Sequence, residues 1–194
     1  MNLGIREATG EYIGIVETDD YIDSRMYEVL YQTACKYDAE VVKSDFDMFT
    51  TGKNDVRMFV NYSLKSYNKV SYNEVYSKER YINGEATVEC YIWNAIYKKS
   101  FLQKRGIYFN ETPGASFQDF GFKYQVAFSA NRIVAVNEAF YHYRRDNSGS
   151  SSYNSKTMEF NLRESKFLLS VLDEWKVDSA VYAAAAREIL QFAV

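Results

Sequence analysis

An α/β fold, with a mixed sheet flanked by helices and a helical C-terminal end, is what this sequence predicts. Three observations carry that prediction. Short apolar runs of strand length alternate with helix-period segments from Asn2 to Arg144. "EVVKSDFDMF", "TGKND" and "RMFVNYS" read in sequence as strand, turn and returning strand. Near the end, "AVYAAAAREIL" is a strong helix former.

Taken in order, residues 2–9 read as the tail of a helix, with Gly10 as its C-terminal stop. Tyr12 to Glu17 reads as a buried strand. Asp23 or Ser24 is placed to cap a helix running to about Tyr37, whose Met26, Val29, Leu30, Thr33 and Ala34 share one face. After the hairpin, a helix is expected around 73–82, a strand at "YIWNAIY" and a short helix at "KSFLQKR". "DFGFKYQVAFSA" reads as a further helix and "RIVAVNEAFYHYR" as a strand. "NSGSSSYNS", Asn147 to Ser155, has the composition of a flexible loop or linker. It divides residues 1–152 from a C-terminal helical extension, 153–194, made of helices at 156–174 and 179–192.

Composition narrows the function. At 194 residues the chain is one domain, or one with a small appendage, and can bury a proper core. A net charge of -3 argues against a nucleic-acid partner, which calls for a basic face. The 18 Tyr and 13 Phe suit carbohydrate or protein surfaces, but filling the core is the preferred reading. Cys35 and Cys90 fit no metal or redox spacing and read as free thiols in a reducing cytoplasm. Asn2 to Ala8 lacks the apolar run of a signal peptide, and no stretch has transmembrane length. A cytoplasmic location follows, with peripheral contact at the inner face of the membrane left open.

The segment "GEYIGIVETDDYID" raises a chemical question. It places Glu17, Asp19 and Asp20 at the end of an apolar strand, where their mutual repulsion has to be offset. In open α/β sheets, ligands bind beyond the carboxyl ends of strands. Mg²⁺ or Mn²⁺ would take carboxylate oxygens there and keep positions open for substrate phosphates. Alternatively, the acids only start the following helix, where the dipole favours them. On these residues alone the two readings stand equal.

"NLGIREATGEYIGIVETDDYID" resembles a segment of family 2 glycosyltransferases: an asparagine, a glycine two residues on, "A.GEYI", then an acidic "D.DD" and an aromatic. "IWNAIYKKSFLQKRGIYFNE" is similar to that family's "W.KLY...FL...I.F.E". "TPGASFQDFGF" resembles the segment that usually carries "ED", and "AFYHYRRDNSGSS" the closing "Y.YR....S". The four stretches come in the family's order from Asn2 to about Ser152. The resemblance implies an incomplete GT-A fold in residues 1–152 and transfer of a sugar, with inversion, from a nucleotide-sugar donor to a glycan or glycolipid acceptor hydroxyl. It also implies a role in bacterial surface polysaccharide synthesis. Asp19, with Glu17 in place of the usual first Asp, would hold Mn²⁺ or Mg²⁺, and Asp119 would be the catalytic base. Asp20, Arg144, Arg145 and His142 would face the donor diphosphate, and Trp93, Asn94 and Gln118 the acceptor.

Each of these residues also has a plainer reading. Asp119 could simply cap a helix, His142 and Trp93 could be packed core residues, and the arginine pair could be a solvated strand end. Members of the family begin with strands and helices that bind base and ribose, and this chain starts where that unit ends. The expected consequences are a sparse nucleoside pocket and a sheet edge exposed to homodimerisation. Two other functions compete: an inactive, partner-binding derivative of such an enzyme, and an unrelated Mg²⁺-dependent phosphate enzyme. The ordered downstream motifs argue against the last.

Overall fold

The computed structural model describes residues 1–89, 91–113, 117–147, 149 and 157–191. Cys90, the 152/153 boundary and most of the expected linker lie outside the described residues. Seven strands form one mixed sheet: β1 (Tyr12–Gly14), β2 (Tyr21–Ile22), β3 (Val41–Thr51), β4 (Arg57–Tyr62), β5 (Val75–Tyr76), β6 (Ala95–Lys98) and β7 (Ile133–Arg144). Eight helices accompany them: α1 (Asn2–Glu7), α2 (Met26–Tyr37), α3 (Leu64–Asn68), α4 (Glu79–Ile82), α5 (Lys99–Arg105), α6 (Gln118–Ala127), α7 (Thr157–Trp175) and α8 (Ser179–Gln191). The α/β class and the mixed sheet are as expected.

The sheet order is β1-β6-β3-β7-β2, with β4 added to β3 and β5 to β7. Its centre is the parallel pair β3–β7; β6 and β4 run antiparallel to β3. Val41, Val42 and Phe46 of β3, and Ile133 to Ala135 of β7, are almost wholly buried. Such near-continuous apolar runs are what a strand covered on both faces requires. On α2, Met26, Leu30 and Ala34 recur four residues apart and are fully buried, so one stripe of the helix faces the sheet. Aromatics do fill the interior: Tyr97, Tyr124, Tyr141, Phe46, Phe109 and Phe122 are among the largest fully buried side chains.

Several expected boundaries shift, each because a distant partner decides them. The expected helix at 73–82 is instead β5 followed by the single turn α4. Val75 and Tyr76 pair with Val134 and Ile133, and that ladder overrides local propensity. The strand expected at Tyr12 to Glu17 stops at Gly14, where its partner β6 runs out at Ala95–Lys98, and "YIWNAIY" shortens to those last residues and Lys98. Helix α1 ends at Ala8 rather than Gly10. Neither Asp23 nor Ser24 is the N-cap of α2. Arg25 takes that place, and Asp23 acts from two residues before it, its Oδ1 accepting from the Arg25 amide at 2.8 Å.

The C-terminal helices share the core of the sheet: Leu168 and Leu172 of α7 and Ala184 and Ala185 of α8 belong to the same buried cluster. Helix α7 lies against α6, and the fit depends on Gly121. A Cβ there would stand 2.8 Å from Phe167 Cδ1 and 3.2 Å from Glu164 Oε2. Gly121→Ala is therefore expected to cost about 1–3 kcal/mol in overpacking. A helix-propensity gain of roughly 0.5–1 kcal/mol partly offsets it. Thermal melting checks this. A fall in Tm is expected, whereas a rise of the size seen at exposed helix glycines would mean α7 does not press on α6.

Candidate active site

The acidic segment after β1 is fastened to the far half of β7. Tyr141 Oη donates to Asp20 Oδ2 at 2.7 Å and accepts from the Glu17 backbone amide at 3.0 Å. The Arg144 amide donates to the other Asp20 oxygen, Oδ1, at 2.8 Å. Both carboxylate oxygens of Asp20 thus hold the loop in place. The ring of Tyr141 stacks on Trp93, with centroids 4.0 Å apart and planes within 17°. Trp93, 5% exposed, is therefore the buried floor beneath the tyrosine that positions the acids. β7 reaches this place because its register with β3 shifts between Ser44 and Phe46, an irregularity that re-aims the strand's distal half.

Asp19 is half-buried, and its Oδ2 accepts from Asn147 Nδ2 at 2.6 Å. Glu17 is the most open of the three acids. Burial holds its carboxyl above the ordinary value, and the charges of Asp20, Asp119 and Asp19 push it further. That coupling matters, because it brings Asp119, about a hundred residues along the chain, into electrostatic reach of the acidic segment. Asp119 lies in the first turn of α6. Burial raises its carboxyl, against the pull of the Lys123 ammonium and the Phe120 backbone amide. Phe117, which precedes the helix, takes the left-handed conformation with φ 63, a strained choice for a residue with a side chain.

The loop leading to Asp119 is clamped at its start. Asn2 Nδ2 donates to the Phe109 carbonyl at 2.8 Å and to Glu111 Oε1 at 2.9 Å, and the Phe109 amide donates back to Asn2 Oδ1. Gln118 ties the other end, with Nε2 donating to Thr112 Oγ1 at 3.0 Å and to its carbonyl at 3.2 Å. Residues 114–116 of the expected glycine-containing loop lie outside the described residues.

Other sequence-picked residues divide between the site and the core. Arg144 borders a cavity of about 490 Å³ together with Asp19, Asp20, Tyr21, Phe49 and Arg57. Its Nε donates to Asp146 Oδ1 at 2.8 Å. Arg145 sits instead over the Tyr143 ring, 5.6 Å from its centroid. His142 stacks on Tyr21 at 4.5 Å, with Nδ1 3.7 Å from Asp47 Oδ2. Asn94 is fully buried and stitches β6 to β3: its Nδ2 donates to the Ser44 carbonyl at 2.6 Å, and its own carbonyl accepts from the Ser44 amide. Directly opposite Ala95 on β3 stands Lys43, buried and ion-paired with Glu89; burial, with Lys123 nearby, pushes its ammonium down to about 7. The cavity wall formed by Phe49 and Arg57 went unread in sequence. Its one signal was the length of the β3–β4 hairpin, which carries its tip beyond the sheet.

Among the described residues, no three His, Cys, Asp or Glu side chains converge into a metal cage. A Mg²⁺ or Mn²⁺ ion held by one or two carboxylates and completed by substrate phosphates needs no such cage. Asp19 and Glu17, neighbours at a strand end with raised mutual repulsion, fit that kind of site. Asp20, with both oxygens taken, fits it less well.

Comparison with known proteins supplies the family. The family model described as Glycosyl transferase family 2 matches residues 1–106. The chain belongs to that family. It is 27% identical over 193 residues to Glycosyltransferase GlyG of Streptococcus pneumoniae, covering 98% of this chain and 60% of that protein. It is 26% identical over 145 residues to the uncharacterized glycosyltransferase EpsJ of Bacillus subtilis, covering 75% of this chain and 41% of that one. The chain thus spans about half the length of these family relatives. Among solved structures, TarS 1–349 of S. aureus in complex with UDP-GlcNAc superposes with a TM-score of 0.70 at 19% identity, over 97% of this chain and 50% of that fragment. The same fragment in complex with UDP gives 0.55 at 18% identity, over 98% of this chain and 67% of that one. The family fold, a GT-A-like mixed sheet with flanking helices, is the one described above.

Proposed function

We propose that this chain carries the metal-binding and base-bearing part of an inverting glycosyltransferase. It would move a sugar from a nucleotide-diphosphate donor to an acceptor hydroxyl during synthesis of a bacterial surface polysaccharide. One observation carries the reading: Glu17 of the acidic segment and Asp119 in the first turn of α6 lie near enough for their charges to oppose each other. The relatives named as glycosyltransferases and the nucleotide-bearing TarS structures support a nucleotide-sugar donor. No helix among the described residues is long and apolar enough to cross a membrane, which suits an acceptor brought to the protein from outside it or from a membrane surface.

In this reading Asp119, ionised, takes the proton from the acceptor hydroxyl as that oxygen attacks the anomeric carbon. The bond from that carbon to the diphosphate breaks on the opposite face, which gives inversion. Asp19, assisted by Glu17, would hold the divalent ion, and Asp20 keeps the loop in register with β7. Bound there, Mg²⁺ or Mn²⁺ supplies Lewis-acid stabilisation of the departing diphosphate. Arg144 adds a guanidinium beside the same oxygens. Trp93 and Asn94 hold the scaffold underneath, and Gln118 fixes the turn that presents the base.

The competing function, an inactive partner-binding derivative, draws on the chain spanning about half of its relatives. The two separate by binding. The 194-residue chain is expected to take nucleotide-sugars more weakly than micromolar, that is, with less than about 8 kcal/mol. Calorimetry with a panel of nucleoside diphosphates and Mn²⁺ measures this. Weak, Mn²⁺-dependent binding supports the transferase, while complete indifference to every diphosphate tested would favour the derivative.

A further inference from the structure

Helix α7 grips the turn that carries Asp119 at two points. The Phe160 ring faces that of Phe117, the strained residue before α6, with centroids 5.9 Å apart. One turn later, the Glu164 side chain enters the interior with no solvent exposure. Its Oε1 accepts from Asn110 Nδ2 at 3.1 Å and from Arg163 Nε at 3.4 Å. Its Oε2 has no hydrogen-bond partner among the described residues and lies against Gly121, two residues past Asp119.

A buried carboxylate with one oxygen unsatisfied is an expensive arrangement, and a neutral carboxyl is a far cheaper one. Burial raises the hold of Glu164 on its proton, and the charge of Asp119 on α6 raises it further. Asn110 from the loop and Arg163 on α7 itself oppose this. Asp119 has its own counter-charge in Lys123, one turn along α6. Glu164 is fully buried whereas Asp119 is only partly covered, so of the two acids Glu164 is the one for which the neutral form is favoured.

We propose that Glu164 is a positioning residue for Asp119: anchored by Asn110 and seated on Gly121, it stays neutral in the interior beneath α6 and leaves Asp119 as the ionised member. This rests on Asp119 being the base. It gives the C-terminal helix a task in the site, since docking α7 both orders the turn at Phe117 and fixes which carboxyl is charged.

Carboxyl ¹³C NMR titration of the 194-residue chain tests the idea without requiring turnover. In the parent chain, Glu164 is expected to titrate at higher pH than Asp119. Asp119→Asn should lower the Glu164 midpoint. Glu164→Gln, whose amide oxygen can still accept from Asn110, should remove the late step. Stability provides a second readout. A glutamate whose folded pKa is raised contributes fully below its unfolded value, about 4.3, and that contribution is lost as pH rises through the folded value. The Tm advantage of Glu164→Gln over the parent should therefore grow from acid to neutral pH and beyond. A Glu164 midpoint below that of Asp119, or one unmoved by Asp119→Asn, overturns the proposal. If either variant fails to fold, the order of the two midpoints in the parent chain still decides. Failure of the base assignment is a separate result: coupling intact, yet normal sugar transfer by Asp119→Asn in a chain of the relatives' full length. That result would remove the positioning role along with the base.

Discussion

Asp119→Asn is expected to cut sugar transfer by at least two orders of magnitude while leaving folding almost untouched. The structure sharpens the choice between base and cap. The N-cap of α6 is Phe117, with no side-chain cap hydrogen bond, and the Phe120 amide donates to the Phe117 carbonyl, so Asp119 acts on the helix chiefly through its charge in the first turn. Asn caps nearly as well as Asp, and losing a cap altogether costs roughly 0.5–2 kcal/mol of stability. Losing a general base costs about 10²–10⁴ in rate. The substitution therefore costs the helix little and removes the proton acceptor. In a chain of the relatives' full length, Tm and donor binding should be near the parent values. Transfer within a few-fold of the parent would make Asp119 a cap and no more. Asp20 would then be the next acid to test, although the hydrogen bonds from Tyr141 and Arg144 to its two oxygens leave it poorly placed to take a proton.

The second large effect belongs to Asp19. Asp19→Ala should abolish divalent-dependent donor binding, because Asp19 is the carboxylate that would hold the cation. Glu17→Asp should preserve or improve binding, since it only restores the shorter acid usual at that position in the family pattern. Calorimetric titration of the donor with and without Mn²⁺, in a chain of the relatives' full length, separates the cases. Unchanged Mn²⁺ dependence in Asp19→Ala would sink the metal assignment. The structure adds a control. Asp20→Ala should lower Tm as well as weaken binding, because Asp20 spends both oxygens on β7.

What could be read from sequence was whatever the chain decides locally. The stripe on α2, the β3–β4 hairpin and the end of β7 each carry their own periodicity, and each formed where expected. The acids of the proposed site stand out in the sequence as well, because their clustering after a strand is itself an anomaly of charge. Four things were not legible. The two residues of β5 have no strand signal of their own, and the ladder with Val134 and Ile133 makes them a strand. The role of Asp20 depends on a hydroxyl 121 residues away, so a motif that places it beside a metal ligand cannot tell a ligand from a fastener. Glu164 reads as one more charge on an amphipathic helix until α6 is laid over it. Neither Arg57 nor Phe49 stood out, because the hairpin tip gains a cavity only by folding back toward Tyr21.

The hydrogen bonds from β7 to Asp20 also set a schedule for the growing chain. Ribosomes add about 5–20 residues per second, so the 121 residues between Asp20 and Tyr141 keep the acidic loop waiting on the order of 10 s. The central strand β3 waits equally long for its parallel neighbour, since β7 comes almost a hundred residues later. Until then β3 has only its antiparallel partners β4 and β6, and the edge that β7 will cover stays open. Sheets closed by late, distant strands fold slowly and expose their edges meanwhile. A nascent chain stalled before Tyr141 would thus carry every acid of the first motif and no means of aiming them.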